Sequence, residues 1–179
     1  MNQRIISALA VVLILGAGWA AAADPEQLDE PLKPFAPLLG KTWKGEFKSS
    51  TPEKPVFDVT RWERALNGKA IRVLHSVNDG HYGGESLIMW DAKRNTVAYW
   101  YFTAAGFRTE GTMQHEDGQW IAHETVAGAA GGVTEVRSTS KILPDGRLHV
   151  KAEYLKDGTW GVGREVHYKE APDAKVVFK

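Results

Sequence analysis

Five turn dipeptides, Asn67-Gly68, Asp79-Gly80, Asp117-Gly118, Asp145-Gly146 and Asp157-Gly158, punctuate the chain between Phe57 and Tyr168. Asn-Gly and Asp-Gly accept positive φ at both central positions of the turn whose twist matches two antiparallel strands. Each dipeptide is flanked by alternating or apolar runs, so the chain reads as a meander of hairpins. Further breaks at 91–95 and 128–132 fall at similar intervals. That spacing predicts an all-β, antiparallel sandwich or barrel of about ten strands. The strands are expected at 42–48, 56–65, 70–78, 81–90, 96–103, 107–114, 119–126, 133–143, 147–155 and 159–170.

The 179 residues are 43% hydrophobic and 25% charged, an ordinary globular balance that suits one domain. Lys plus Arg equals Asp plus Glu at 22 each, and no basic block occurs, which argues against a nucleic-acid partner. Residues 1–23 have the form of a signal peptide. Arg4 precedes an apolar run from Ile5 to Ala20, and Ala21-Ala22-Ala23 supplies a small-residue cleavage site. Cleavage there implies a periplasmic or secreted protein with no stable membrane anchor. Cysteine is absent, so there is no disulfide, no thiolate metal site and no lipidation site. Residues 24–40 hold four prolines, with Leu28, Leu32, Phe35, Leu38 and Leu39 at helical spacing. The prolines limit this segment to short helical turns, read as a plug or lid on one barrel end. The barrel domain then spans 41–170, and 171–179 forms a tail or an added edge strand.

The period of two sorts the side chains. On 70–78, Ile71, Val73, His75 and Val77 share the apolar face. On 119–126, Glu124 faces with Trp120, Ala122 and Val126. On 147–155, Leu148, Val150, Ala152 and Tyr154 point inward and His149 and Glu153 outward. On 159–170, strict alternation puts Trp160, Val162, Arg164, Val166 and Tyr168 inside. Tyr99 and Tyr101 oppose Trp100 and Phe102 on a strand expected to be covered on both sides. Gly83 and Gly84 suggest a bulge or bend. On 56–65, either Phe57, Val59, Arg61 and Glu63 face inward or Thr60, Trp62 and Arg64 do. On 81–90, Glu85 faces with Leu87 and Met89, opposite Ser86, Ile88 and Trp90, with the inward set open.

Three ionisable groups, His75, Glu124 and Arg164, thus fall on apolar faces. A buried charge needs a partner, and Glu124 with Arg164 is the expected pair. His75 and Glu124 are the candidate acid–base groups, with a Glu85–Glu124 carboxylate pair if Glu85 points inward. The alternative is a structural ion pair beside a satisfied core histidine. The candidate ligand lining is Trp43, Trp62, His75, Glu85, Trp90, Tyr101, Glu124 and Arg164. None of the six histidines forms a metal motif, so no metal is assigned, and a zinc site would have to be assembled from distant strands. No phosphate loop, nucleophile elbow or EF-hand is present.

Leu38-Leu39-Gly40-Lys41-Thr42-Trp43 resembles the Gly…Trp opening of lipocalins and other calycins, with one residue more between Gly40 and Trp43 than a lipocalin has. Arg61 to Lys69, Gly83-Gly84-Glu85, Trp90-Asp91 and the stretch Tyr99 to Gly106 resemble exported bacterial calycin-like proteins without an assigned activity. The likeness spans most of residues 36–170. It implies an antiparallel up-and-down β-barrel with a short N-terminal helix and an apolar ligand, and it would place Arg164 over Trp43. Some haem-binding barrels share the architecture, but no haem-ligand histidine falls on a matching motif, so no cofactor is assigned. Three functions follow: binding of a small, largely apolar molecule inside the barrel; an isomerase, cyclase or hydrolase using His75 or Glu124; or an envelope interaction protein with a filled barrel.

Overall fold

The computed structural model describes residues 27–127 and 131–179, so the signal-peptide reading and most of the 128–132 loop lie outside the described residues. Ten strands follow a nine-residue 3-10 helix at Glu30–Leu38. They are β1 (Thr42–Phe47), β2 (Phe57–Ala65), β3 (Ala70–Val77), β4 (Tyr82–Asp91) and β5 (Thr96–Thr103), then β6 (Arg108–Glu116), β7 (Gln119–Val126), β8 (Val133–Ile142), β9 (Leu148–Lys156) and β10 (Thr159–Glu170). Each pairs antiparallel with its sequence neighbours, and β1 pairs with β10 to close the barrel. Closure removes every free edge. The chain after Glu170 therefore adds no edge strand. It runs over the outside, where Val177 N–H donates to Ser76 Oγ at 3.0 Å.

The five turn dipeptides take the expected two-residue form only in part: Asn67-Gly68 and Asp79-Gly80 have positive φ at both residues but lie in four-residue connections, the first of them a short 3-10 turn at Leu66–Gly68. Asp117-Gly118 and Asp157-Gly158 are two-residue connections with positive φ at both positions. At Asp145-Gly146 only the glycine is positive, and Asp145 Oδ1 instead accepts the Arg147 N–H at 3.1 Å.

The helix closes one end of the barrel. Pro34 and Pro37 within it are tolerated because a 3-10 segment this short needs few backbone donors. Its buried Leu32, Phe35 and Leu38 point into the barrel, and Phe35 stacks on Trp62 and Trp120 with centroids 6.4 and 6.0 Å apart. Burying Leu28, Leu32, Phe35 and Leu38 contributes about 6–12 kcal/mol at about 1.5–3 kcal/mol each, which the entropy of ordering the segment partly offsets. Gly40 N–H donates to Trp62 O and Asp29 N–H to Gly68 O, pinning both flanks of the helix.

Several face assignments need correction. On β10 the register shifts between Val162 and Glu165, so Gly163 and Arg164 together oppose Ala152. This bulge flips the parity. Val162 is 83% exposed, and Trp160 lies outside, stacked under Arg137 at 4.4 Å. Strict alternation fails wherever one strand carries an extra residue. Gly83 and Gly84 form no bulge, because β3 and β4 pair without interruption. Tyr99 and Tyr101 point inward, but the opposite face of β5 is not covered, and Phe102 is 46% exposed.

Candidate functional site

The barrel encloses a cavity of about 370 Å³, within the range of small-molecule sites. It reaches the end opposite the helix, where Phe107, Val126 and Val133 line it. A hollow interior removes the premise of the filled-barrel alternative. Of the expected lining, Trp62, His75, Tyr101, Glu124 and Arg164 do face the cavity. Trp43 and Trp90 do not, for they pack in the core beyond it. Glu85 does not either. It lies on the outer face, where Arg72 Nε and Nη2 donate to it at 2.8 and 2.9 Å. Those bonds hold its carboxyl below the ordinary range. The Glu85–Glu124 pair therefore does not form, and Ser86 and Ile88 take the inward positions of β4. On β2 the inward set is Asp58, Thr60 and Trp62, with Arg61 and Glu63 bonded to each other outside.

The expected Glu124–Arg164 pair is also absent. Glu124 Oε2 accepts the Tyr99 hydroxyl at 3.1 Å. Among the described residues, no group lies within hydrogen-bond or ion-pair distance of the Arg164 guanidinium. Arg164 does not cover Trp43; that ring has Lys41 Nζ over it at 5.5 Å. Arg164 faces inward in ordinary alternation with Val166 and Tyr168, and the bulge beside it turns Val162 and Trp160 outward instead. Burial acts to lower its pKa, but the oxygens of Tyr168, Asp58, Tyr154 and Tyr101 outweigh this and raise it, so Arg164 stays charged.

Asp58 is the group that alternation on β2 did not bring forward. Nearly all of it is buried, at 2% exposure. Tyr168 donates its hydroxyl to Asp58 Oδ2 at 2.6 Å, and His75 Nδ1 lies 3.0 Å from Oδ1. On the far side of the ring, His75 Nε2 lies 2.7 Å from the Tyr101 hydroxyl, itself 3.1 Å from the Tyr82 hydroxyl. With Asp58 accepting the Nδ1–H bond, a neutral ring accepts at Nε2 from Tyr101, whose oxygen then accepts from Tyr82; a charged ring donates at both ends, and Tyr101 then donates to Tyr82. The five side chains form one continuous chain, Tyr168–Asp58–His75–Tyr101–Tyr82. Burial, followed by neighbouring oxygens, raises the pKa of Tyr99, Tyr101 and Tyr168, keeping these hydroxyls as donors. His75 is the sole cavity-lining histidine among the described residues, and both ring nitrogens are engaged. An iron centre inside would have to break one of those bonds.

The tyrosines are placed by glycines. A Cβ on Gly84 would sit 2.4 Å from Tyr101 Cε2, and one on Gly111 would sit 2.7 Å from Tyr99 Cε1. Gly163 and Gly45 stand in the same relation to Tyr154 and Tyr168, at 2.9 Å each. Four cavity tyrosines thus lie across glycines of adjacent strands. The missing side chains leave room for the rings.

No protein-family model matches the chain, and no curated protein matches it. The fold is similar to the crystal structure of Rv2717c from M. tuberculosis, with 15% sequence identity and a TM-score of 0.56 over 83% of this chain and 100% of that chain. At that identity the likeness supports the barrel fold alone.

Proposed function

We propose that this chain is an exported, calycin-like barrel that binds a small, largely apolar molecule carrying one anionic group. The observation that carries the reading is the Arg164 guanidinium, which lines the cavity without a direct partner among the described residues. A charge in such a place is costly unless something satisfies it, and a carboxylate does so with paired hydrogen bonds. Trp62, Ile88, Met113, Leu148 and Val150 offer the apolar body of the ligand a wall. Calorimetry with dodecanoate and dodecanol tests this. Hydrogen bonds to charged groups are worth about 1.5–3 kcal/mol, so Arg164→Gln is expected to weaken dodecanoate binding about 10- to 100-fold and leave dodecanol unchanged. Equal loss for both ligands, or no loss for either, overturns the reading.

A second reading, a proton-transferring enzyme of isomerase, cyclase or hydrolase type, is favoured by the Asp58–His75–Tyr101 chain. Asp58 orients the ring, and Nε2 meets a hydroxyl at the cavity wall, as a general acid–base requires. Molecules retained from cell extract by the wild type and by His75→Ala decide it by mass spectrometry. Chemically different molecules support turnover, and the same molecule in both favours binding alone.

A further inference from the structure

The outer face of the barrel carries a second cluster unrelated to the cavity. His149 on β9 and His167 on β10 are direct cross-strand partners, and their rings stack at 4.3 Å between centroids with planes 13° apart. Glu165 lies two residues before His167, so the pleat puts it on the same outer face. One ligand atom from each of the three residues can be chosen so that all lie within 4.8 Å of one another. His149 Nε2 is 3.2 Å from Glu165 Oε1. The other carboxylate oxygen, Oε2, accepts Lys48 Nζ at 2.8 Å. Glu165 is therefore held from one side by Lys48, leaving Oε1 turned toward the imidazoles.

We propose that His149, Glu165 and His167 form a binding site for a divalent late transition-metal ion, of which Zn²⁺ is the representative. Two imidazoles and one carboxylate are a recurrent protein donor set for zinc, with the remaining position left to water. Donors around a tetrahedral Zn²⁺ lie about 3.3 Å apart for bonds of about 2.0–2.1 Å. Side-chain rotation closes the gap, because the strand ladder already fixes the backbone spacing. Lys48 is a positioning residue for the carboxylate, in the way outer partners orient metal ligands. Mg²⁺ and Ca²⁺ prefer more oxygen donors than this face offers. The strand reading missed the cluster because His149 and His167 are separated in sequence and meet only through the β9–β10 register.

Titration of the chelator-treated full chain with Zn²⁺, read by calorimetry and native mass spectrometry, tests the site. The expected result is one saturable Zn²⁺ per chain, undisturbed by excess Mg²⁺. His149→Ala and His167→Ala should each lower the affinity at least 100-fold, and Glu165→Gln at least tenfold. His123→Ala, on the outer face of β7, should leave it unchanged. The altered residues lie on the outer face, and circular dichroism verifies that each variant keeps the fold. Absence of saturable binding, or equal binding by the His149 and His167 variants and the wild type, overturns the proposal.

Discussion

Gly84→Ala tests whether glycine placement builds the site. The new methyl carbon would meet Tyr101 Cε2 at 2.4 Å and the Phe102 carbonyl oxygen at 2.3 Å. The first contact is a ring locked between His75 and Tyr82, and the second is backbone of β5, so neither gives way cheaply. Overpacking of this kind costs about 1–3 kcal/mol. Moving Tyr101 also forfeits its bond to His75, about 1 kcal/mol more. Lower entropy of the unfolded chain returns about 0.4–1 kcal/mol. The net expectation is a loss of about 1–3.5 kcal/mol, measured as a fall in the urea midpoint at constant slope. Gly161→Ala is the control. It lies on β10 with nothing within 4 Å of its added carbon, and it should be neutral or slightly stabilising. A Gly84→Ala variant as stable as the control would refute the idea that the tyrosine rings depend on their glycines.

Glu85→Gln should leave ligand binding intact, since Glu85 lies outside the barrel, and cost at most about 1 kcal/mol at neutral pH for a half-exposed pair. Arg72 holds the Glu85 pKa down, so its stabilisation is present above the ordinary carboxylate range and fades as pH falls through the lowered value. Urea melts of variant and wild type should therefore converge in strong acid, and a gap that widens there would contradict the pairing. Phe35→Ala should lower stability by about 3–5 kcal/mol, because the ring is 2% exposed and fills the closed end between two tryptophans; a loss under about 1 kcal/mol would mean that the helix is not part of the core.

Much of this barrel was legible from local chemistry. The Asp-Gly turns and the inward sets of β3, β7 and β9 follow from turn preference and period two, which act within a few residues. The failures have one cause, dependence on neighbours distant in sequence. Val162 and Trp160 were misplaced because the β10 bulge is defined against Ala152 on β9. Asp58 escaped because a polar residue near a strand end looks solvated until Tyr168, 110 positions away, donates to it. A usable signal was present: Asp58, Thr60 and Trp62 share one parity, and the large aromatic marks that parity as the inner one. The tyrosine–glycine pairs were likewise visible in composition, but only the register joins Tyr101 with Gly84 and Tyr99 with Gly111.

Arg164 separates a site from a scaffold. A structural arginine would be expected to hold a carboxylate or an aromatic ring, and removing it would cost stability. Here both oxygens of Asp58 are committed to His75 and Tyr168, and Glu124 is bonded to Tyr99, so the described residues offer the guanidinium charge nearby but no direct bond. Those oxygens favour the charge through space, but among the described residues the guanidinium donates no hydrogen bond in return for the water it has lost. A same-length apolar side chain, as in Arg164→Met, should leave the fold as stable or more so, by about 1 kcal/mol or more. The same change should remove carboxylate binding. Stability is read by thermal melting without ligand, and binding by calorimetry with dodecanoate. Opposite movement of the two quantities is the signature of a residue kept for its ligand at a cost to the fold. A melting temperature that falls by several degrees, with the apo barrel loosened, would instead make Arg164 part of the scaffold and take away the anion from the proposed ligand.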